Sequence, residues 1–402
     1  MTVPTSAPQG GGLAGPDLRR VTGTLCATEI VSWGAMYYAL PVLAGPITSD
    51  TGWSTAAIMA AFTAAQLVAA LAGLAVGRHI DRFGPRTLMS IGSAAAVVAL
   101  LVLAWSDSFG WFVGAWVLAG CAMSAVLYAP AFAALNGWSA ARHRVRALTA
   151  VTLVAGLAST IFAPLTSALS GLLGWRGTYV VLAGIVALTI PAHWWGLKPP
   201  WSASIAAPRR TRQPVWRTGQ FLALAIALSA TALCAYAAVV NLVPMLTARG
   251  VSLGAAAVVL GLGGVGQVCG RLAFAPLRNR LSLPTTTLAM LLLVAVTTAA
   301  LTSTANLTVL AVLALLAGSV RGGTTLLQAT AVVDRWGVAN VGGLSATLAA
   351  PIMITTAAAP WAGAQLAQMM GGYVPAFLCL AGVAAASAAL VPLTFPTTPE
   401  GP

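Results

Sequence analysis

Long apolar runs separated by short polar breaks occupy nearly the whole chain. Met89 to Trp105 and Leu281 to Leu301 are examples, each close to the roughly 20 residues a helix needs to cross a bilayer. The runs are continuous and do not alternate with a period of two, so they do not read as barrel strands. A helix, which satisfies its backbone groups internally, is then the element that can sit in hydrocarbon. The pattern predicts twelve such helices, over about 20–45, 55–77, 86–105, 109–135, 146–173, 177–196, 218–246, 253–277, 282–303, 306–332, 340–369 and 373–394. An even number returns both termini to one side.

The polar breaks say which side. Arg19 and Arg20, then Arg82 and Arg86, Arg142, Arg144 and Arg146, then Lys198, Arg209, Arg210, Arg212 and Arg217, then Arg278, Arg280 and Arg335 all fall on the terminus side. The opposite loops carry Arg176 and Arg249 beside Asp50 and Asp107. The positive-inside rule makes the basic side cytoplasmic. The expectation is a multi-pass protein of a bacterial inner membrane with both termini inside the cell. Leu197 to Gly219 is the longest internal polar segment and lies near the chain midpoint. It divides the chain into a disordered polar N-terminus (1–18), a first six-helix half (19–196), a linker (197–217), a second half (218–394) and a tail (395–402). The halves are weakly alike. Ala119-Gly120 followed by Trp138 matches Ala317-Gly318 followed by Trp336 at a constant offset of 198, and Ala163-Pro164 falls near the counterpart of Ala359-Pro360. Two parallel six-helix repeats with a site between them form a transporter layout.

Composition narrows the class. The chain has 402 residues, 59% hydrophobic and 7% charged, whereas a soluble domain carries about 25% charged residues. Its net charge of +13 is dispersed between apolar spans, which excludes a nucleic-acid surface. The five cysteines lie in apolar stretches without metal-ligand spacing and read as small buried apolar residues. No cleavable signal peptide is apparent, so the first helix serves as its own insertion signal. Gly261 to Gly266 fits a dinucleotide pattern but has no strand before it, so close helix packing is the better reading. Asn306-Leu307-Thr308 fits a glycosylation acceptor without meaning in a bacterium. His79, His143 and His193 form no metal set. No nucleophile is paired with a base, so the chain reads as no enzyme, with no cofactor and no resident metal. The lipid bilayer and a small-molecule substrate are the expected partners, and the expected state is a monomer.

Gly77-Arg78-His79-Ile80-Asp81-Arg82-Phe83-Gly84-Pro85-Arg86 follows the second span. This segment resembles the signature of the major facilitator superfamily between its second and third helices, with matches at Gly77, Asp81, Arg82, Gly84 and Arg86. The resemblance implies a major facilitator fold, an all-α membrane protein of twelve transmembrane helices in two six-helix pseudo-repeats. It also implies a conformational gate at Asp81 and Arg82. In physical terms Gly77 lets a neighbouring helix approach, Gly84 permits a tight turn, and Asp81 needs a cationic partner or a helix N-terminus. Gly270-Arg271 is the expected equivalent in the second half, without the aspartate. Gln267-Val268-Cys269-Gly270-Arg271 is similar to the eighth-helix segment of monocarboxylate and oxalate transporters, where the arginine binds the substrate carboxylate. Gln267 stands where many of those proteins have an acid. The first-helix lysine of animal monocarboxylate carriers is absent from Tyr37-Tyr38-Ala39-Leu40-Pro41-Val42.

Three ionisable residues fall inside spans, Glu29, Arg271 and Arg321, and each costs at least about 2.5–3.5 kcal/mol at the bilayer centre. The resemblance places helices 1, 4, 7 and 10 around a cavity, so Glu29 and Arg321 face it. Arg321 is either an anion clamp or the ion-pair partner of Glu29. Arg271 either contacts substrate or snorkels to the interface. Glu29 is the candidate proton-coupling group. Tyr37, Tyr38 and Asn241, near Pro41 and Pro244, could hydrogen-bond a substrate, and interfacial anchoring is the alternative for the tyrosines. Gln328 and Gln365 are weaker candidates. The function expected is symport of a small organic anion, monocarboxylate-like, by alternating access. Two alternatives stand beside it. One is an efflux pump for drugs or metalloid ions, for which Cys26, Cys121 and Cys234 fall on cavity helices while Ala163-Pro164-Leu165-Thr166-Ser167-Ala168 departs from the drug-antiporter pattern. The other is a non-transporting sensor.

Overall fold

A computed structural model describes residues 15–201, 215–337 and 341–395. The expected polar N-terminal stretch to residue 14, Arg209, Arg210 and Arg212 of the linker, and the tail from residue 396 lie outside the described residues, as does the side chain of Arg142. Among the described residues, ten helices are long and apolar enough to cross a membrane. One of these, His143–Gly196, runs for 54 residues, far more than one crossing needs. It turns at Gly174 (φ 68°, ψ 177°), in a region open to glycine alone, and so crosses twice. Tyr373–Ala388 is a shorter apolar helix packed against the others. The total is twelve passes. They are α1 (Gly15–Thr51), α2 (Thr55–Phe83), α3 (Pro85–Ala104), α4 (Phe109–Trp138), α5 (143–173), α6 (175–196), α7 (Gly219–Val240, continued by Leu242–Ala248), α8 (Leu253–Arg280), α9 (Leu283–Ala300), α10 (Leu307–Trp336), α11 (Val341–Met369) and α12 (Tyr373–Ala388).

The halves repeat with unusual regularity. Thr55 and Leu253 open α2 and α8, Pro85 and Leu283 open α3 and α9, and Phe109 and Leu307 open α4 and α10. The turns at Gly174 and Gly372 also correspond. Each pair differs by 198 in residue number. The capping residues repeat with the helices. Ser54 and Ser252 accept backbone N–H bonds at the starts of α2 and α8, and Ser108 and Asn306 do so at α4 and α10. Each cap satisfies donors that a first helical turn leaves unpaired.

Within each half a glycine seam holds the central helices together. A Cβ on Gly120 of α4 would collide with the Ala65 carbonyl of α2. In the second half Gly266 and Gly270 of α8 press on the carbonyls of Leu315 and Ser319, while Gly318 and Gly322 of α10 press on those of Gly263 and Gln267. Small residues four apart allow this backbone approach. The expectation that Gly270-Arg271 copies the gate segment is therefore corrected. Gly270 is a packing residue inside α8, and the position 198 beyond Asp81-Arg82 is Asn279-Arg280 at its end.

Four helices are irregular in mid-membrane, which was not expected from the apolar pattern. α1 widens to a π-helix over Gly34–Tyr38, just before Pro41, which has no N–H to return to the Tyr37 carbonyl. α4 breaks at Leu127 (φ −91°, ψ −168°), three residues before Pro130. α5 is interrupted between Ala155 and Ala158, and α7 at Asn241, before Pro244.

The halves meet mainly away from the basic loops. Thr160 of α5 donates to the Gly261 carbonyl of α8 at 2.7 Å, and the Trp361 N–H of α11 donates to Thr63 of α2 at 3.3 Å. Val42 and Ala163 share an apolar core with Leu242, Leu246 and Leu260. Toward the basic face Leu71 and Leu74 of α2 and Met353 and Ile354 of α11 are exposed. On the opposite face Arg176 meets Asp50 and, at 3.8 Å, Asp107, while Trp175 donates to Asp50 at 2.9 Å.

Candidate functional site

The gate segment closes the basic end of α2. Gly84 adopts φ 82°, and its missing Cβ leaves room for Trp201, whose own Cβ would lie 2.9 Å away. The Trp201 indole donates to the Asp81 carbonyl at 3.2 Å and stacks edge-on against Trp138. Arg86 donates to the Trp194 carbonyl at 2.8 Å and lies over its ring. Asp81 and Arg82 are exposed, and Asp81 forms no salt bridge among the described residues. A Cβ on Gly77 would meet open space, so the expected close helix approach is not seen there. In the second half the pairing lies between helices. Arg278 of α8 reaches Asp334 of α10 at 3.5 Å, and Thr330 donates to the same carboxylate. Arg335, read from sequence as a loop charge, is buried and donates to the carbonyls of Ala331 and Thr394 and to the Thr287 hydroxyl.

The intramembrane charges gather where the halves face one another. Glu29, Trp33 and Tyr37 succeed each other every fourth residue along one face of α1. Glu29 is fully buried and neither carboxylate oxygen has a hydrogen-bond partner. Tyr37 is 2% exposed, its hydroxyl also unpartnered, with its ring 5.2–5.3 Å from those of Trp33, Tyr38 and Phe62. These tyrosines are core groups and not interfacial anchors. Across the interface Arg321 of α10 is 5% exposed, and its Nε and Nη2 donate to nothing. Tyr37 and Tyr236 lie in the neighbourhood of Arg321. Tyr128, the first residue after the α4 break, lies among Arg271, Glu29 and Tyr38, with its ring 5.0 Å from Trp33. Arg271 crosses between halves and donates to the Thr152 carbonyl of α5. No ion pair joins Arg321 to Glu29, so the packing-pair expectation for these two is corrected. Beside Arg321 lies a small cavity of about 40 Å³, reaching Ala235, Val239, Thr298 and Gly318. That is space for a few waters at most.

Asn241 is placed differently from expectation. Its amide donates to the carbonyls of Ala237 at 3.0 Å and Pro360 at 3.2 Å, which ties α7 to α11 and leaves only Oδ1 unpartnered. Gln267 is buried in the α8–α10 seam, and Gln328 and Gln365 are half-buried. The cysteines do not converge. Cys121 and Cys269 are exposed on the helix exterior, contrary to the buried reading. Cys234 is buried, with Cys379 as a neighbour, and Cys26 lies near Glu29. Among the described residues no three His, Cys, Asp or Glu side chains could hold a metal ion together. Sequence reasoning missed Trp33, Tyr128, Tyr236 and Trp201. The four-residue spacing from Glu29 could have found Trp33, and the Pro130 break could have drawn attention to Tyr128.

A bundle of twelve passes in two repeats, with the buried Arg321 between them, defines a polytopic helical membrane protein. The Major Facilitator Superfamily profile matches residues 25–308, and the chain belongs to that family. It is 31% identical over 245 residues to monocarboxylate transporter 11 of Mus musculus, covering 58% of this chain. It is 29% identical over 101 residues to the oxalate:formate antiporter of Oxalobacter formigenes, covering 25%. The chain spans 53% of the length of the first relative and 24% of the second. Among solved structures, a bacterial homolog of the human lysosomal transporter Spinster, inward-facing and occupied, superposes with a TM-score of 0.75 at 16% identity, covering 95% of this chain and 97% of that one. The unoccupied inward-facing form gives 0.72. These likenesses show the fold.

Proposed function

We propose that this carrier moves a small organic anion, monocarboxylate-like, by alternating access, with Glu29 as the proton-coupling group. The observation that carries the reading is Arg321, a buried guanidinium with two unpartnered nitrogens and no acid in contact. A charge in that position is strongly disfavoured unless something pairs with it. A carboxylate fits the fork of a guanidinium with two parallel bonds. The tyrosines around it supply further donors. Two relatives named for monocarboxylate and for oxalate and formate support the same chemical class.

In this scheme the second half contributes Arg271 and Arg321, and the first contributes Glu29, Tyr37, Tyr38 and Tyr128. An anion held between them contacts both halves at once. It competes with the Thr152 carbonyl for Arg271, so binding loosens one link between the halves while making others. Asp81, Arg82 and Arg86, with Gly77 and Gly84, act as the gate on the basic face when the halves close there. The basic face is the cytoplasmic one by the positive-inside rule, the membrane is a bacterial inner membrane, and the working unit is a monomer. A gradient drives the cycle.

The test is uptake of labelled lactate, pyruvate and oxalate into proteoliposomes. Arg321→Ala and Arg271→Ala should each lower uptake by about thirtyfold or more, the scale of losing one partner of a buried charge contact. Glu29→Gln should abolish stimulation by an imposed pH gradient while leaving anion exchange. Unchanged uptake in both arginine variants would sink the clamp. Loss of arsenite resistance in cells on Cys→Ser substitution would favour metalloid efflux instead.

A further inference from the structure

We propose that the opening between α1 and α5 on the basic face is a second anion site. It would hold a small free carboxylate on its way to or from the central cluster. The inference rests on the carrier reading above and extends it.

The opening has a volume of about 390 Å³ and is lined by Arg19, Thr22 and Cys26 of α1 and by His143, Arg146 and Ala150 of α5. A water takes about 30 Å³ in the liquid, so a hydrated carboxylate of a few atoms fits. The charge in it is of one sign. Arg19 and Arg146 form no salt bridge among the described residues, and Asp17, the acid closest in sequence, is paired with Arg20 at 3.5 Å. Two guanidiniums with no acid between them draw anions and repel cations.

The opening also leads somewhere. Arg19, Thr22, Cys26, Glu29 and Trp33 recur every three or four residues, so they form one stripe along α1. Cys26 lies about 10 Å below Arg19 along the axis, and Glu29 about one turn further. Cys26 and Glu29 are neighbours on that stripe, about one turn apart. Trp33, one turn beyond Glu29, packs its ring 5.0 Å from that of Tyr128, which lies beside Arg271. The floor of the opening is thus one helical turn from the central cluster. An anion leaving Arg271 toward the basic face next meets Arg146 and Arg19. Because both are solvent-exposed, they hold it weakly, which suits a waiting site and not a trap.

Cys26 is a native reporter at the floor. In the full-length chain with Cys121, Cys234, Cys269 and Cys379 changed to Ser, reconstituted in phosphatidylcholine nanodiscs, Cys26 is modified with a sulfonate-bearing and with a trimethylammonium-bearing methanethiosulfonate. Mass spectrometry gives both rates. The anion-to-cation rate ratio should fall about fivefold or more on Arg19→Gln with Arg146→Gln, as expected for removing two charges within about 10 Å. Added oxalate or lactate should slow modification saturably, and the double substitution should remove that protection. A ratio indifferent to the two substitutions overturns the proposal, as does carboxylate protection that survives them. Protection by phosphatidylglycerol in the nanodisc, with none from soluble carboxylates, also overturns it and assigns the site to a lipid headgroup. Uptake by Arg271→Gln, measured in parallel, separates this proposal from the carrier reading. Normal uptake by this variant and by Arg321→Gln sinks the arginine clamp, whatever Cys26 reports. Lost uptake together with an indifferent Cys26 ratio leaves that reading standing and this one fallen.

Discussion

Arg321 and Asn241 show how differently two buried polar side chains are used. Arg321 keeps N–H groups with nothing to donate to, whereas both amide hydrogens of Asn241 are engaged by backbone carbonyls. Asn241→Leu should therefore lower thermal stability by about 1–3 kcal/mol, the scale of losing two buried hydrogen bonds. It should leave the KM for anion uptake within about twofold. A dye-based melting curve and an uptake titration read the two effects, and a large rise in KM with no change in melting would reverse the assignment. Tyr128→Phe makes the opposite prediction. It removes one hydroxyl among Glu29, Tyr38 and Arg271 while preserving the ring contacts with Trp33 and Phe132. The melting curve should stay put and KM should rise about three- to tenfold, the scale of one hydrogen bond.

At the scale of the helix, the α8–α10 seam depends on the absence of side chains. Gly270→Val or Gly322→Val places methyl groups into the Ser319 or Gln267 backbone. Either should abolish stable expression, measured as monodisperse protein on gel filtration, while Gly77→Val, which meets open space, should still yield folded protein. Much at this scale was legible in the sequence. Twelve apolar runs marked the passes because lipid imposes a length and a polarity on each one. The paired Ala-Gly motifs marked the repeat because the same seam is built twice. The interruptions at Gly34–Tyr38, Leu127 and Asn241 were not legible as breaks. A run of apolar residues looks the same whether its backbone is continuous or widened. Proline shows only that some carbonyl goes unpaired, not how the chain absorbs it. The ion pair of Arg278 with Asp334 was hidden for a related reason. It joins two helix ends 56 positions apart, which no local spacing reveals. The central cluster was half visible. Its charges stood out because they are rare in a membrane, while Tyr128 and Tyr236 looked like ordinary aromatics until the fold set them beside those charges.

As a whole the molecule consists of two six-helix halves joined through α5 with α8 and α2 with α11. If the halves part on the basic face and meet near Thr63 and Trp361, fixing that contact should hold one state. Thr63→Cys with Trp361→Cys, in a background without the native cysteines, should stop uptake on oxidation and recover it on reduction. Continued transport by the oxidised form would show that this contact does not have to open. The Arg271 link has a different consequence. In the structure it joins α8 to the Thr152 carbonyl of α5. An unloaded protein that reorients must give up this bond and leave a cation facing hydrocarbon or scarce water, whereas a loaded one exchanges a carbonyl for a carboxylate. The return stroke without cargo is then the slow stroke. Anion placed on the far side should accelerate flux several-fold, and one-for-one exchange should outpace net accumulation, as timed in vesicles with and without internal anion. On the proposed reading, the side chain that recognises cargo also works as a toll on travelling empty.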